Sequence, residues 1–270
     1  MKKTFLATAF LLLVGSLLKA QSNTQPINFK KDFTSIKSNV WVSKYEVTNA
    51  SYHLFLEELQ SSEQQKKYQQ CLPDTNCWIA LAAYQEPIKT YYFRHPAYSN
   101  YPVVGVCYDA AKLYCNWLTQ QYNQNPKRKF EQVEFRLLTK AEWIFAANKG
   151  DTTRTYPWGS GYIQNNRKAD LCNYRHIDLR YDSIEKKYIE LPDTFQKRIT
   201  LTAAVNAYFP NSFGLYNMSG NVAEMVQDAG IAMGGGFNDP PYLVQIKSEK
   251  KYNAPSFDIG FRVAMEVVKE

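Results

Sequence analysis

Histidine is scarce in this chain of 270 residues: there are three, His53, His95 and His176, far apart and without ligand-like spacing. Cysteine numbers five (Cys71, Cys77, Cys107, Cys115 and Cys172), with no CxxC pair and none beyond position 172. Both shortages argue against a His/Cys zinc site. A strong excess of one charge is also missing. Lys+Arg total 32 against 25 Asp+Glu, a formal +7, and Lys2, Lys3 and Lys19 lie in a segment read below as removed. That excludes a strongly basic nucleic-acid binder as the default. Internal repeats and low-complexity tracts are absent. A composition of 45% hydrophobic and 21% charged residues argues against disorder for most of the chain. Aromatics are abundant instead, at 15% with 20 tyrosines. They suit a loop-rich domain with a large core or binding face.

The N-terminus reads as an address. Lys2 and Lys3 precede an apolar stretch from Thr4 to Leu18, and Leu18-Lys19-Ala20 forms a small-residue cleavage pattern. Residues 1–20 are therefore expected to be a signal peptide, and residues 21–40 an arm or linker. The apolar run is shorter than the ~20 residues a spanning helix needs, and no later stretch is apolar enough. The residue directly after the cleavage site is Gln21 and the first cysteine is Cys71, so no lipid anchor is expected there. Export permits disulfides. Cys71 and Cys77 flank a Pro-Asp-Thr-Asn turn and are a candidate pair, although the odd count leaves at least one thiol over. Cys115 sits in an apolar helical run, as a buried inert thiol would.

Hydrophobic periodicity places a strand at 41–47 and helices at 50–59, 109–122 and 140–148. Thr48 or Asn49 caps the first helix, and Thr139 with Glu142 forms a capping box on the last, which Gly150 stops. Short strands are expected at 135–138, 232–237 and 260–265. Residues 61–100 and 161–201 read as polar, irregular insertions. Two main helices, short strands and much irregular loop define an α+β class.

Several of these pieces are motifs in a recognisable order: YEVTN at 45–49, YPVVGV at 101–106, YCNWL at 114–118, FRLLTKAEW at 135–143, YPWG at 156–159, GLYNMSGNVAE at 214–224, GGGF at 234–237 and GFR at 260–262. In this order and spacing they resemble the formylglycine-generating enzyme, or sulfatase-modifying factor, domain family, over residues 41–268. The resemblance implies a low-secondary-structure fold related to C-type lectins. It makes Trp117, Trp143 and Trp158 core pieces and Arg262 a buried ion-pair partner.

Catalytic members of that family oxidise a sulfatase cysteine to formylglycine with copper and oxygen, and bind copper through two cysteines just after the Gly-Gly motif. Here the aligned positions are Asp239 and Val244. A carboxylate and a valine do not replace a soft dithiolate for Cu(I), so no copper and no catalytic residue are expected. The segment from Asp228 to Ala232 is also short compared with the enzymes. The resemblance further implies structural calcium at Gly220, Asn221, Val222 and Glu224, whose side chains and carbonyls offer hard oxygens. The alternative is that Glu224 pairs with Arg262 or caps backbone amides. A second calcium site would begin at Asn173-Tyr174, but its carboxylate position aligns near Lys197, so it is expected to be lost or altered.

The leading expectation is an exported, non-catalytic interaction or assembly domain. It is similar to the gliding-motility K-type proteins of type IX secretion and partners another exported protein. No sorting domain follows residue 268, which points to the periplasm, with secretion as the alternative. No nucleic acid and no membrane insertion are expected. A metal-dependent oxidase with a rebuilt site would use Asp239, His176 and Glu224. A lectin-like module would present Tyr91, Tyr92 or Tyr98.

Overall fold

The structure is a computed structural model that describes residues 28–81, 86–177, 179–190 and 201–270. The expected signal peptide, the first part of the arm and Lys197 lie outside the described residues. One antiparallel sheet runs in the order β1 (Phe33–Ser35), β2 (Val40–Ser43), β10 (Ala264–Lys269), β3 (Gln132–Arg136). Its alternation decides its faces: Val133 and Phe135 point into the core while Gln132 and Glu134 face solvent. Ala264 of β10 sits between Val42 of β2 and Arg136 of β3. The expected strand at 41–47 is thus shorter, ending at Ser43. There the backbone turns, because the carbonyls of Ser43 and Lys44 are taken by Arg262.

Helix α4 (Tyr108–Gln124) lies across this sheet and buries Ala110, Ala111, Tyr114, Cys115, Leu118 and Tyr122. It also closes the open side of β3. Thr119 Oγ1 accepts from Phe135 N–H at 2.8 Å, and Asn123 both accepts from Val133 N–H (3.0 Å) and donates to Val133 C=O (2.9 Å). Helix α1 (Asn49–Ser61) packs Tyr52 and Phe55 onto Tyr114 and Phe261, with the Tyr52 and Tyr114 ring centroids 5.7 Å apart. Its cap is Thr48, answered by Ser51 in place of the usual Glu. Helix α5 (Lys140–Asn148) carries the expected Thr139–Glu142 box.

The second sheet runs in the order β8 (Glu249–Lys251), β7 (Ile231–Met233), β6 (Ala223–Met225), β9 (Ile259–Gly260). The expected strand at 260–265 is split between the two sheets, β9 in one and β10 in the other. A hairpin, β4 (Leu179–Asp182) with β5 (Lys187–Glu190), stands apart. The described residues of the 61–100 stretch hold more regular structure than their sequence suggests. They form α2 (Gln65–Cys71), α3 (Glu86–Tyr91) and two 3-10 turns. Elements of one or two turns show no hydrophobic period, so the sequence pattern misses them. Trp78 and Tyr92 from this region are buried against Phe237 and Phe257 in a satellite core. Trp143 is fully buried, whereas Trp117 and Trp158 are only partly so.

Candidate functional site

The residues singled out in the sequence fall into two centres. The first is sealed. Arg262 comes from the turn between β9 and β10 and is fully buried. Its guanidinium has five N–H donors, and each finds an oxygen. Nε and Nη2 clasp Glu224 at 2.6 and 2.5 Å, Nη1 reaches the carbonyls of Ser43 and Lys44, and Nη2 also reaches that of Tyr216 at 2.7 Å. Trp143 donates its indole N–H to Glu224 at 2.7 Å. A buried charge pair is tolerated only with this degree of satisfaction.

Beside it lies Glu46, also buried, accepting from the amides of Asn221 (2.8 Å) and Asn217 (3.2 Å). Burial pushes its carboxyl up to about 7; the Arg262 charge pulls the other way and Glu224 adds to the rise. The turn that supplies the two asparagines needs left-handed backbone at Asn217, Gly220 and Asn221. Gly220 has no room for a side chain, because a Cβ there would lie 2.2 Å from Asn173 C=O.

The calcium expectation falls on this centre, and the side chains do not fit it. Both oxygens of Glu224 receive donors from Arg262, so a divalent cation there would face a guanidinium. Asn221 Oδ1 accepts from Ala203 N–H at 2.7 Å while its amide holds Glu46. Glu224 follows the alternative assignment, as the partner of Arg262. Among the described residues, no group of three or more His, Cys, Asp or Glu side chains is arranged to hold a metal.

The second centre is built around Asp239, one of the two positions that the family resemblance aligns with the copper cysteines. Asp239 follows the GGGF turn, and its Oδ2 accepts from Gly236 N–H at 2.8 Å and from Lys250 Nζ at 2.7 Å. Lys250, from β8, also donates to Asp258 at 2.5 Å, and Ser256 donates to the other Asp258 oxygen. Burial works against the lysine charge, but Asp258 and Asp239 outweigh it and hold its pKa above the usual value. Val244 is fully buried in an apolar cluster with Tyr156, Cys172 and Tyr174. Neither position offers a soft ligand.

His176 is not part of either centre. It is exposed, stacks on Tyr174 at 4.5 Å and contacts Asp170 at 2.9 Å. Asp239, His176 and Glu224 are therefore not brought together. The Cys71–Cys77 link is not formed: all five cysteines are free thiols. Cys71 closes α2 inside the main core, whereas Cys77 packs beside Gly105 and Trp78's satellite core. Tyr92 is buried, its hydroxyl bonded to Pro102 C=O and Thr202, so it presents no face to a sugar; Tyr91 is exposed and Tyr98 half-buried. The sequence pattern missed Lys250, Asp258 and Glu46. Lys250 stands in a lysine-rich stretch that reads as solvated surface, and Glu46 was legible only as part of the YEVTN motif.

These two centres on a loop-rich α/β frame define a domain of the formylglycine-generating-enzyme type. The sequence matches the Sulfatase-modifying factor enzyme 1-like domain over residues 9–267, and the chain belongs to that family. It is 26% identical over 207 residues to the formylglycine-generating enzyme of Mus musculus, covering 70% of this chain and 48% of the relative. The Thermomonospora curvata formylglycine-generating enzyme is 34% identical over 129 residues, 48% of this chain and 34% of the relative. The Bos taurus protein named inactive C-alpha-formylglycine-generating enzyme 2 is 26% identical over 204 residues, 72% of this chain and 55% of the relative. The chain thus spans about half the length, or less, of the curated relatives it matches. Among solved structures, CarF superposes with a TM-score of 0.52 at 22% identity, covering 84% of this chain and 86% of that one. That likeness concerns the fold.

Proposed function

We propose that the chain is an exported, non-catalytic member of this family that serves as an interaction or assembly domain. Its setting is the periplasm, in contact with a secretion or gliding apparatus of the type IX kind. The observation that carries the reading is the second centre. Where the enzymes align two thiolates, Asp239 is engaged by Lys250 and Val244 is sealed among aromatic side chains. A relative similar in sequence bears the name of an inactive enzyme, so loss of activity within the family has a parallel. The frame around Arg262 and Glu224 is intact, which suits a domain kept for its shape.

The test has two readings on one preparation. Purified protein, supplied with Cu(I), oxygen and a cysteine-containing sulfatase peptide, is followed by mass spectrometry. No conversion of the cysteine to formylglycine is expected, and turnover above the copper-only background overturns the non-catalytic assignment. Cross-linking in the native cells is expected to yield one exported protein in fixed stoichiometry. Recovery of the chain as a lone monomer across cross-linkers of different reach overturns the assembly role.

A further inference from the structure

One concavity among the described residues belongs to neither centre. It is a groove of about 1010 Å³ between the segment leading into β1 and the loop that follows α4. Its rim carries Lys30, Lys31, Lys127, Arg128 and Lys129, against one acidic residue, Asp32. Asp32 already accepts from Asn28 N–H at 2.9 Å, and the neighbouring Glu131 is paired with Lys269 at 2.6 Å. Among the described residues, none of Lys30, Lys31, Lys127 and Lys129 has a carboxylate within ion-pair distance.

The groove is built, not incidental. Phe29 packs edge-on against Tyr122 at 5.0 Å to form the floor. The Tyr122 hydroxyl accepts from Lys129 N–H (3.2 Å) and Phe130 N–H (3.0 Å), fixing the loop backbone. Arg128 Nε donates to Glu131 C=O at 2.9 Å and holds the same loop from outside. Lys129 Nζ lies 4.6 Å from the ring centroids of both Trp41 and Phe130, which sets its ammonium over the cleft.

We propose that this groove docks an extended acidic segment of a partner protein, an inference that names the partner chemistry for the assembly reading above. Charge complementarity carries it: five like charges stand around a cleft against the single carboxylate of Asp32, and among the described residues no carboxylate pairs with the four lysines. The segment before the groove does not supply one, because none of residues 1–27 is Asp or Glu. The ring faces of Trp41 and Phe130 already carry Lys129, so they do not offer the open platform a sugar would stack on. A concave floor lined by half-buried rings is out of reach of a flat lipid surface. A peptide backbone can enter it, with Asp or Glu side chains reaching the rim and apolar ones resting near Trp41 and Met265.

The experiment uses a fluorescently labelled dodecaglutamate peptide and fluorescence anisotropy, with the intact exported protein. Saturable binding that weakens as NaCl rises from 50 to 200 mM is expected. The triple variant Lys30→Glu, Lys127→Glu, Lys129→Glu should bind at least about tenfold more weakly, equivalent to about 1.4 kcal/mol. A control with Lys66→Glu and Lys67→Glu on α2 should change affinity by less than about twofold, since exposed charges this far away are screened. These positions are exposed, and unchanged thermal unfolding confirms that the variants fold. In cells, a photo-cross-linker in place of Lys31 should map to an Asp/Glu-rich stretch of one protein. Equal loss in the control, no saturable binding, tighter binding of a sulfated oligosaccharide or of phosphatidylglycerol vesicles, or cross-links to a segment poor in acid would each overturn the proposal. None of these results bears on formylglycine formation, so failure of this inference and failure of the non-catalytic reading are distinguishable.

Discussion

The Glu224–Arg262 centre and the Asp239–Lys250–Asp258 centre are both charge clusters at the second sheet, yet water reaches only one of them. Arg262 and Glu224 have side-chain exposures of 0% and 1%, whereas Lys250 retains 27%. The sealed centre has every donor matched and binds the two sheets to the 214–224 turn, so it acts as scaffold. The open centre is an ion pair that water partly reaches, with Lys250 between Asp239 and Asp258. The difference teaches how burial sets the worth of a charge pair: the sealed frame is determined by buried polar bonding, while the open pair keeps part of its hydration.

Removing Arg262 should show this most strongly. Arg262→Ala leaves Glu224 buried and uncompensated, and should cost roughly 3–5 kcal/mol, read as a shift in the urea unfolding midpoint. If the loss is under about 1 kcal/mol, typical of exposed pairs, the two centres are not different in kind. Glu46 gives the next largest effect, and its sign is unusual for a carboxylate. Its folded pKa of about 7 exceeds the ordinary carboxylate value of 4.5, so between these pH values the folded state holds more protons than the unfolded one. Stability should therefore fall as pH rises through this window. Glu46→Gln should flatten that slope and raise stability at pH 7, measured by denaturant titration across pH 4–8.

Glu142 should behave in the opposite sense. Burial opposes its charge, but hydrogen bonds from Arg136 and Thr139 pull its pKa down to about 2. Its contribution is present above pH 4.5 and is lost as pH falls toward 2. It should be smaller than that of Glu46, since Arg136 and Glu142 are partly solvated. Glu142→Gln should reduce the acid sensitivity seen in thermal melts between pH 2 and 5. At the open centre, Lys250→Met should cost roughly 1–3 kcal/mol, the range for a buried acceptor left unpaired, with Asp258 bearing most of it. The smallest expected effect is that of chelation. With Glu224 bonded to Arg262, EDTA should move the melting temperature by less than about 1 °C, and a larger drop would place a cation in the fold after all.

Much of the frame was legible in the sequence because it is local. The Thr139–Glu142 box lies within four residues, and the apolar face of α4 repeats at helical spacing. Arg262 could be assigned to an ion pair only through the ordered family motifs, since its partner lies 38 positions away. The open centre was not legible. Lys250 meets Asp239 and Asp258 because β8 folds back along β7, and nothing in a run of lysines distinguishes the one that turns inward. The short helices of residues 65–91 were hidden for a different reason: a helix of six or seven residues completes too few turns to display a face.

The bonds from Thr119 and Asn123 to β3 have a consequence for the molecule as an object among copies of itself. The first sheet is asymmetric at its margins. On one side a helix has taken the backbone groups that a foreign strand would need; on the other, among the described residues, β1 pairs only with β2. An exposed strand margin is a template for fibrous self-association. Here the template has been spent at β3, so two molecules cannot join β3 to β3, and the sheet has a direction in which it is closed to growth.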